Sequence, residues 1–259
     1  MKKNKEIKIG IVGVAGKMGQ AIASLAINDP KMSLNAGSEY SKHKLIGVDI
    51  GLMIGYKPIN IFVTDSIKSF FKDLDVVIEF GLEKATIKFL KEASDNKVAF
   101  LSGSTGLSEN TLKLMKKLSK NIPILWSPNM SIGANLLKEI AGEMASKLGS
   151  DFDIDITDVH HKNKRDIPSG TAISIKEEVE EKLRKKRLKK KDIGISTIRA
   201  GDSTGEHSVI FSGKGERIII KHLSTSRSIF AQGAIEIAKW LYKKKAGYYT
   251  MKDFLAVKS

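Results

Sequence analysis

Residues 7–19 constrain what this chain can fold into more than any other stretch. Ile7 to Val12 reads as a short buried strand, and Lys17 to Asn28 as a helix with Met18, Ile22, Leu25 and Ala26 on one side. The turn between them runs Gly13-Val14-Ala15-Gly16-Lys17-Met18-Gly19, a Gly-x-x-Gly-x-x-Gly spacing. Where a strand hands over to a helix, such glycines let a pyrophosphate approach the free N–H groups of the helix start. A second strand is expected over 33–38, and Glu39 follows it, twenty residues beyond Gly19. A carboxylate there can grip the ribose hydroxyls of an adenosine. The stretch therefore predicts a dinucleotide-binding βαβ unit.

The same rhythm continues. Strands are expected at 61–64, 76–80, 98–102 and 122–126, with helices at 66–71, 84–94, 109–120 and 133–147. Alternation of this kind predicts a parallel sheet with helices on both faces, and ligands of such sheets bind beyond the carboxyl ends of the strands. Three strand-to-helix segments then fall at one sheet edge: Phe80-Gly81, Ser102-Gly103-Ser104-Thr105-Gly106 and Ser127-Pro128-Asn129-Met130-Ser131. Taken together, they suit a nicotinamide held through backbone groups.

Beyond residue 130 the pattern changes. A crossover helix over 133–148 should turn Ile140 and Met144 inward. A strand over 153–160, a helix over 172–190 and strands over 193–199, 207–211 and 217–222 predict a mostly antiparallel sheet. A last helix, 228–244, carries Ile229, Gly233, Ile237, Trp240 and Leu241 on one face and should return to the first domain. The expected fold is α/β: a Rossmann-like doubly wound parallel sheet plus an inserted α+β domain. Residues 1–130 and 228–259 form the first domain, and 131–227 the second.

The formal net charge of +15 raises the question of nucleic acid. The excess is mostly lysine spread over helix faces, with one dense run, Lys182 to Lys191, read as an exposed helix end and loop. Aromatics are sparse and not interleaved with the basic residues, which argues against a stacking platform for single strands. A basic field suffices to attract an anionic substrate and cofactor. The chain has no cysteine, no apolar run long enough to cross a bilayer and no secretory leader after Lys2, Lys3, Lys5 and Lys8. It is read as a soluble cytoplasmic protein, with no nucleic-acid and no membrane partner.

The chemistry should lie between Asp158 and Thr171. Along the alternating strand, His160 continues the face of Phe152, Ile154 and Ile156, while His161 points the other way. His160, His161, Lys164 and Arg165 crowd a short loop, and Pro168-Ser169-Gly170-Thr171 opens a helix whose first amides form an anion site. His160 is the expected general acid, because its pKa sits near neutrality. Lys164 is a second acid or an electrostatic clamp, and His161 with the amides of Gly170 and Thr171 would hold a carboxylate. Asp158 and Asp166 are neighbours that orient the histidines or cap the loop. His43, His207 and His222 carry no comparable surroundings. No metal is expected, since adjacent strand residues diverge and cysteine is absent.

These motifs, with Arg199-Ala-Gly-Asp202, Gly205-Glu-His207 and the Arg227…Phe230…Gly233-Ala234 helix, resemble bacterial dihydrodipicolinate reductases in order over nearly the whole chain. His160-His-Lys-Asn-Lys164 paired with Pro168-Ser-Gly-Thr171 is the specific part of the resemblance. It implies reduction by NADH or NADPH of the dihydrodipicolinate synthase product, a small dicarboxylate, on the route to diaminopimelate and lysine. It also implies a homotetramer joined through the second domain's sheets. Carried over by position, His160 is the proton donor and Lys164 the second catalytic residue; His161, Ser169, Gly170 and Thr171 bind substrate. Gly13, Val14, Ala15, Gly16, Lys17, Met18, Glu39, Gly103, Ser104, Thr105, Ser127, Pro128, Asn129 and Met130 hold the cofactor.

Three departures from the family pattern stand out. Tyr40 replaces a common arginine, so NADH should serve at least as well as NADPH, with Lys42, His43 and Lys44 pairing a 2′-phosphate in part. Glu79-Phe80-Gly81 replaces Asp-Phe-Ser/Thr, and the segment after Lys191 is short. The rival readings are an NAD(P)-dependent aspartate or diaminopimelate dehydrogenase, and a dinucleotide-sensing nucleic-acid-binding protein.

Overall fold

The computed structural model describes residues 6–188 and 192–256. The chain divides into two compact units: residues up to Met130 with those from Phe230 onward, and Ser131–Ile229.

The first unit opens with β1 (Ile7–Val12), α1 (Lys17–Asn28), β2 (Met32–Ser38), the short α2 (Ile50–Met53), β3 (Val63–Thr64) and α3 (Ile67–Phe70). It continues through β4 (Val76–Glu79), α4 (Glu83–Asp95), β5 (Ala99–Ser102), α5 (Glu109–Leu118) and β6 (Pro123–Trp126). Strands β4 and β5 are buried at every residue, as expected of parallel strands covered on both faces. Strand β1 runs parallel to both β2 and β4, so the turns after β1, β2, β4, β5 and β6 share one carboxyl edge. The buried face of α1 is Gly19, Ile22, Ala23 and Ala26; Met18 and Leu25 are half-buried.

The second unit holds α6 (Ile132–Leu148), β7 (Asp153–His160), α7 (Gly170–Lys185), β8 (Gly194–Arg199), β9 (Glu206–Gly213) and β10 (Glu216–Leu223). Its sheet has the order β10-β9-β7-β8, antiparallel except for the β7/β8 pair. Helices α6 and α7 cover one face over Ile154, Ile156, Val209 and Phe211. Ile140 does not face in; it is 39% exposed. Small residues set the packed face of α6: Ala134, Ala141, Gly142 and Ala145 are buried, and a Cβ on Gly142 would meet Glu178 Cγ at 2.9 Å. That close helix contact rotates Ile140 outward, whereas Met144 packs against the core.

Helix α7 starts earlier than 172, because the Ser169 hydroxyl caps it by accepting from the Ala172 amide. It also stops short of 190. Arg187 takes a left-handed φ of 56°, and the Leu188 amide donates to the Leu183 carbonyl, turning Leu188 back onto the core. The far end of the lysine run, residues 189–191, lies outside the described residues.

Helix α8 (Ser228–Leu241) ends before 244, and the chain closes with β11 (Gly247–Tyr249) and α9 (Met251–Leu255). Strand β11 pairs parallel with β6, giving a seven-stranded sheet of order β11-β6-β5-β4-β1-β2-β3. Neither closing element was expected from the sequence; Trp240 of α8 meets Tyr249 and Phe254 edge-on and holds both in place.

Candidate active site

In the first unit, the glycine turn, the two β-turn segments and the Pro128–Met130 corner converge on a cleft of about 450 Å³. Gly13, Gly16, Lys17, Met18, Gly19, Phe80, Gly81, Gly103, Ser104, Thr105, Pro128, Met130 and Phe230 line it. Gly13 needs its freedom, with φ +78°, and a Cβ on Gly19 would lie 2.2 Å from the Gly13 carbonyl oxygen. Only glycines let the helix start sit this close to the strand end, which is the fit a pyrophosphate requires. Val14 is fully buried and Ser127 nearly so, and neither they nor Ala15 and Asn129 line the cleft. The Ser127 hydroxyl accepts from the Asn129 amide and lies 2.6 Å from the Asn129 carbonyl, shaping that corner.

A second cavity of about 650 Å³ shares Gly13, Gly16, Phe80 and Gly81 with the first and adds Glu39, Tyr40, Ser41, Asp65, Lys84 and Lys88. Glu39 Oε1 accepts from the Ala15 amide at 2.9 Å, so the acid at the end of β2 also braces the glycine turn. Lys42, His43 and Lys44 do not line this cavity. The His43 ring stands edge-on to Tyr40, and its Nδ1 accepts from the Leu45 amide. The lysines that do reach it come from α4, which the sequence reading passed over.

Glu79 was also missed as a functional position. It is fully buried, and its carboxylate accepts from the Gly81 amide and takes the hydroxyls of Ser102 and Ser104 at 2.7 Å each. One side chain thus ties the turn after β4 to the turn after β5. The Trp126 indole N–H, donating to the Ser104 carbonyl, adds the strand next to them.

In the second unit, the alternation of β7 sends Ile154, Ile156, Asp158 and His160 to the buried face. Asp158 is wholly buried, and its surroundings are dense. Oδ2 accepts from the Ser169 amide at 2.8 Å and from Arg199 Nη2 at 2.9 Å. Oδ1 lies 2.9 Å from His160 Nδ1 and 3.3 Å from His207 Nε2, out of line for a hydrogen bond with either. His207 Nε2 also lies 3.2 Å from the Ser169 hydroxyl, and the His160 and His207 rings meet edge-on at 5.3 Å. The expectation that His207 lacks comparable surroundings is therefore wrong. Antiparallel pairing sets His207 directly opposite Asp158, a relation that spacing within one strand cannot reveal. His222, opposite His207 on β10, has its Nε2 3.5 Å from the Ser131 hydroxyl.

Burial acts to raise the Asp158 carboxyl, but the approach of His207 and the hydrogen bonds from Ser169 and Arg199 outweigh it and hold it far below the usual carboxylate range. His160 is lowered too, which for an imidazole favours the uncharged form. Burial pushes it down, Asp158 pulls it up, and Lys164, His207 and Arg199 push it down again, leaving it at about 4. Its imidazole is neutral at pH 7 in the free protein. Burial, followed by the nearby His207, likewise lowers His222.

Around this core lie the expected anion-binding groups. Ser169 caps α7, and Gly170 and Thr171 occupy its first turn. Lys164 pairs with Asp166 at 2.8 Å, and this contact holds Asp166 below its ordinary range. His161 Nε2 lies 3.4 Å from Arg227 Nη2. Gly205 leaves room for His160: a Cβ there would sit 3.0 Å from Nε2.

Ligand-type atoms of Asp158, His160 and His207 lie within 4.8 Å of one another, a cluster that the divergence of adjacent strand residues did not anticipate. Arg199 engages Oδ2 of Asp158, while Oδ1 is the oxygen turned toward the two histidines.

No helix among the described residues is long and apolar enough to cross a membrane. The N-terminal domain of the dihydrodipicolinate reductase family matches residues 7–130, and its C-terminal domain residues 133–255. The 4-hydroxy-tetrahydrodipicolinate reductase of Magnetococcus marinus is 38% identical, covering 97% of this chain and 99% of its own. That of Syntrophobacter fumaroxidans is 38% identical over 97% of this chain and all of its own. A dipicolinate-bound dihydrodipicolinate reductase from a Paenisporosarcina species has the same fold, with a TM-score of 0.80 at 23% identity over 95% of this chain and 97% of its own. An amine dehydrogenase from Mycobacterium smegmatis shares the fold at a TM-score of 0.70 and 8% identity, over 98% and 97%. Both halves of the chain match in sequence and in order, and the chain belongs to the dihydrodipicolinate reductase family of oxidoreductases.

Proposed function

We propose that this chain reduces 4-hydroxy-tetrahydrodipicolinate to tetrahydrodipicolinate with NADH or NADPH, in diaminopimelate and lysine biosynthesis, as a cytoplasmic homotetramer. The observation that carries the chemical part is His160. It is a buried, uncharged imidazole beside a carboxylate, with a lysine and a capped helix start in the same loop.

A bound nicotinamide supplies hydride; the residues of this chain do the rest. Gly13, Gly16 and the start of α1 receive the pyrophosphate, Glu39 the adenosine ribose, and the Gly103–Thr105 and Pro128–Met130 turns the nicotinamide half. In the second unit, the first-turn amides of Gly170 and Thr171, with His161 and Lys164, take the substrate carboxylates. Binding two negative charges beside His160 reverses the balance that keeps it neutral, so it gains a proton as substrate arrives. Loss of the 4-hydroxyl as water leaves an unsaturated imine; as one of its carbons receives hydride, His160 gives its proton to the neighbouring carbon, with Lys164 neutralising charge.

Lys84 and Lys88 support use of both cofactors, since they share the Glu39 and Tyr40 cavity and can pair a 2′-phosphate. The double variant Lys84→Ala/Lys88→Ala should raise KM for NADPH about tenfold, roughly 1.4 kcal/mol, and leave NADH nearly unchanged. Equal loss with both cofactors would remove these lysines from phosphate recognition. The activity itself is tested by mixing the purified protein with freshly made synthase product and either cofactor. Oxidation of one nicotinamide per substrate is expected; no oxidation with either cofactor would refute the reading.

A further inference from the structure

Asp158 sits behind the substrate loop. Being fully buried, it cannot meet a ligand itself, yet elements from all round the second unit's sheet converge on it. The start of α7 gives the Ser169 amide, β8 gives Arg199, β9 gives His207, and its own strand gives His160 two residues on. Arg199 is anchored as well: its guanidinium donates to the carbonyls of Asp158, Asp166 and Ile198. One carboxylate oxygen is thus engaged by the arginine and the helix start, while the other faces His160 Nδ1 without an aligned hydrogen bond. Buried polar atoms left out of line in this way are uncommon and cluster where function needs them. The remaining charged and titratable groups turned toward this core are Lys164 and Asp166 of the loop and His222 of β10.

We propose that Asp158, held by Arg199 and the Ser169 amide, is the positioning residue that decides when His160 carries a proton. Its charge is shared with Arg199 and the Ser169 amide, so it stands beside the imidazole without charging it. The arriving dicarboxylate supplies the rest. The protein thereby withholds the acid until substrate is present. Arg199 is the counterweight: with the arginine gone, Asp158 would charge His160 unaided.

This inference rests on the reductase reading, and the test separates the two. The His160 ring signal is followed by NMR against pH in the full-length protein, alone and with pyridine-2,6-dicarboxylate. Added dicarboxylate should move the titration midpoint up by about one pH unit or more. Asp158→Asn should move it down and Arg199→Gln up, and the alkaline limb of kcat should follow each in the same direction. Asp158→Glu, which keeps the charge, should restore the limb and guards against a fold defect in Asp158→Asn. A role limited to folding would lower kcat in these variants without moving either limb or midpoint, and that result overturns the proposal. Midpoints that move as stated in a protein that oxidises no nicotinamide would instead sink the reductase reading alone.

Discussion

His160 is neutral where an unfolded chain would protonate it, and that ties the stability of this protein to pH. Its midpoint falls from the ordinary 6.5 to about 4 on folding, so between those values the unfolded state binds the extra proton. The stabilisation is complete above pH 6.5 and is lost as pH falls toward 4. It amounts to at most about 3.5 kcal/mol, at roughly 1.4 kcal/mol per pH unit. His222, lowered by burial, adds to the loss with the same sign. Asp158 also stabilises the neutral and alkaline protein, but its loss begins only at more acid pH. Thermal melts at pH 7.5 and pH 5 should therefore fall further apart in the natural protein than in His160→Gln; equal differences would place the shift elsewhere. At this scale the sequence was partly legible. Alternation along β7 put Asp158 and His160 on one face, because side-chain period in a strand is local. His207, Arg199 and Glu79 were not, since their roles arise from strand pairing and turn contacts that no spacing encodes.

The element that the rest of the first unit depends on is the junction of β1 with α1. Gly19 lies in the first turn of α1 where any side chain would strike the Gly13 carbonyl and the Val14 backbone. Gly19→Ala should cost about 1–3 kcal/mol, because the clash is with backbone that cannot rotate away. It should also weaken dinucleotide binding by tenfold or more as the turn opens. Urea unfolding with NADH titration by fluorescence checks both; an unchanged midpoint and affinity would show that the turn is not under this constraint. The junction was fully readable from the glycine spacing, and Lys17–Asn28 is the helix expected. Elements set by tertiary packing were less so. Strand β11 is only three residues, all half-buried, and takes shape by pairing with β6, while Ile140 of α6 faces out because Gly142 lets α7 come close.

At the scale of the whole molecule, two units divide the chemistry. In the proposed reaction, one receives the hydride carrier, and the other supplies the anion site and the proton. Among the described residues of the second unit, α6 and α7 cover one face of the sheet. On the other, Ile198, Ile219 and Leu223 are each at least half exposed, from strands at both sheet edges. Exposed aliphatic side chains beside the Lys221–Glu206 ion pair on one sheet face suit a second copy of the chain. Light scattering should give four times the 28.5 kDa chain mass, and Ile219→Lys should lower it; a monomer in the natural protein would remove the tetramer. The division of labour between units has a sharper test in His160→Gln, assayed for kcat and for NADH affinity together. The expected result is a fall in kcat of about 10²-fold or more with NADH affinity unchanged, because general-acid groups contribute on that order and the nucleotide is held by the other unit. Full kcat in His160→Gln, or equal loss of NADH binding, would contradict the account.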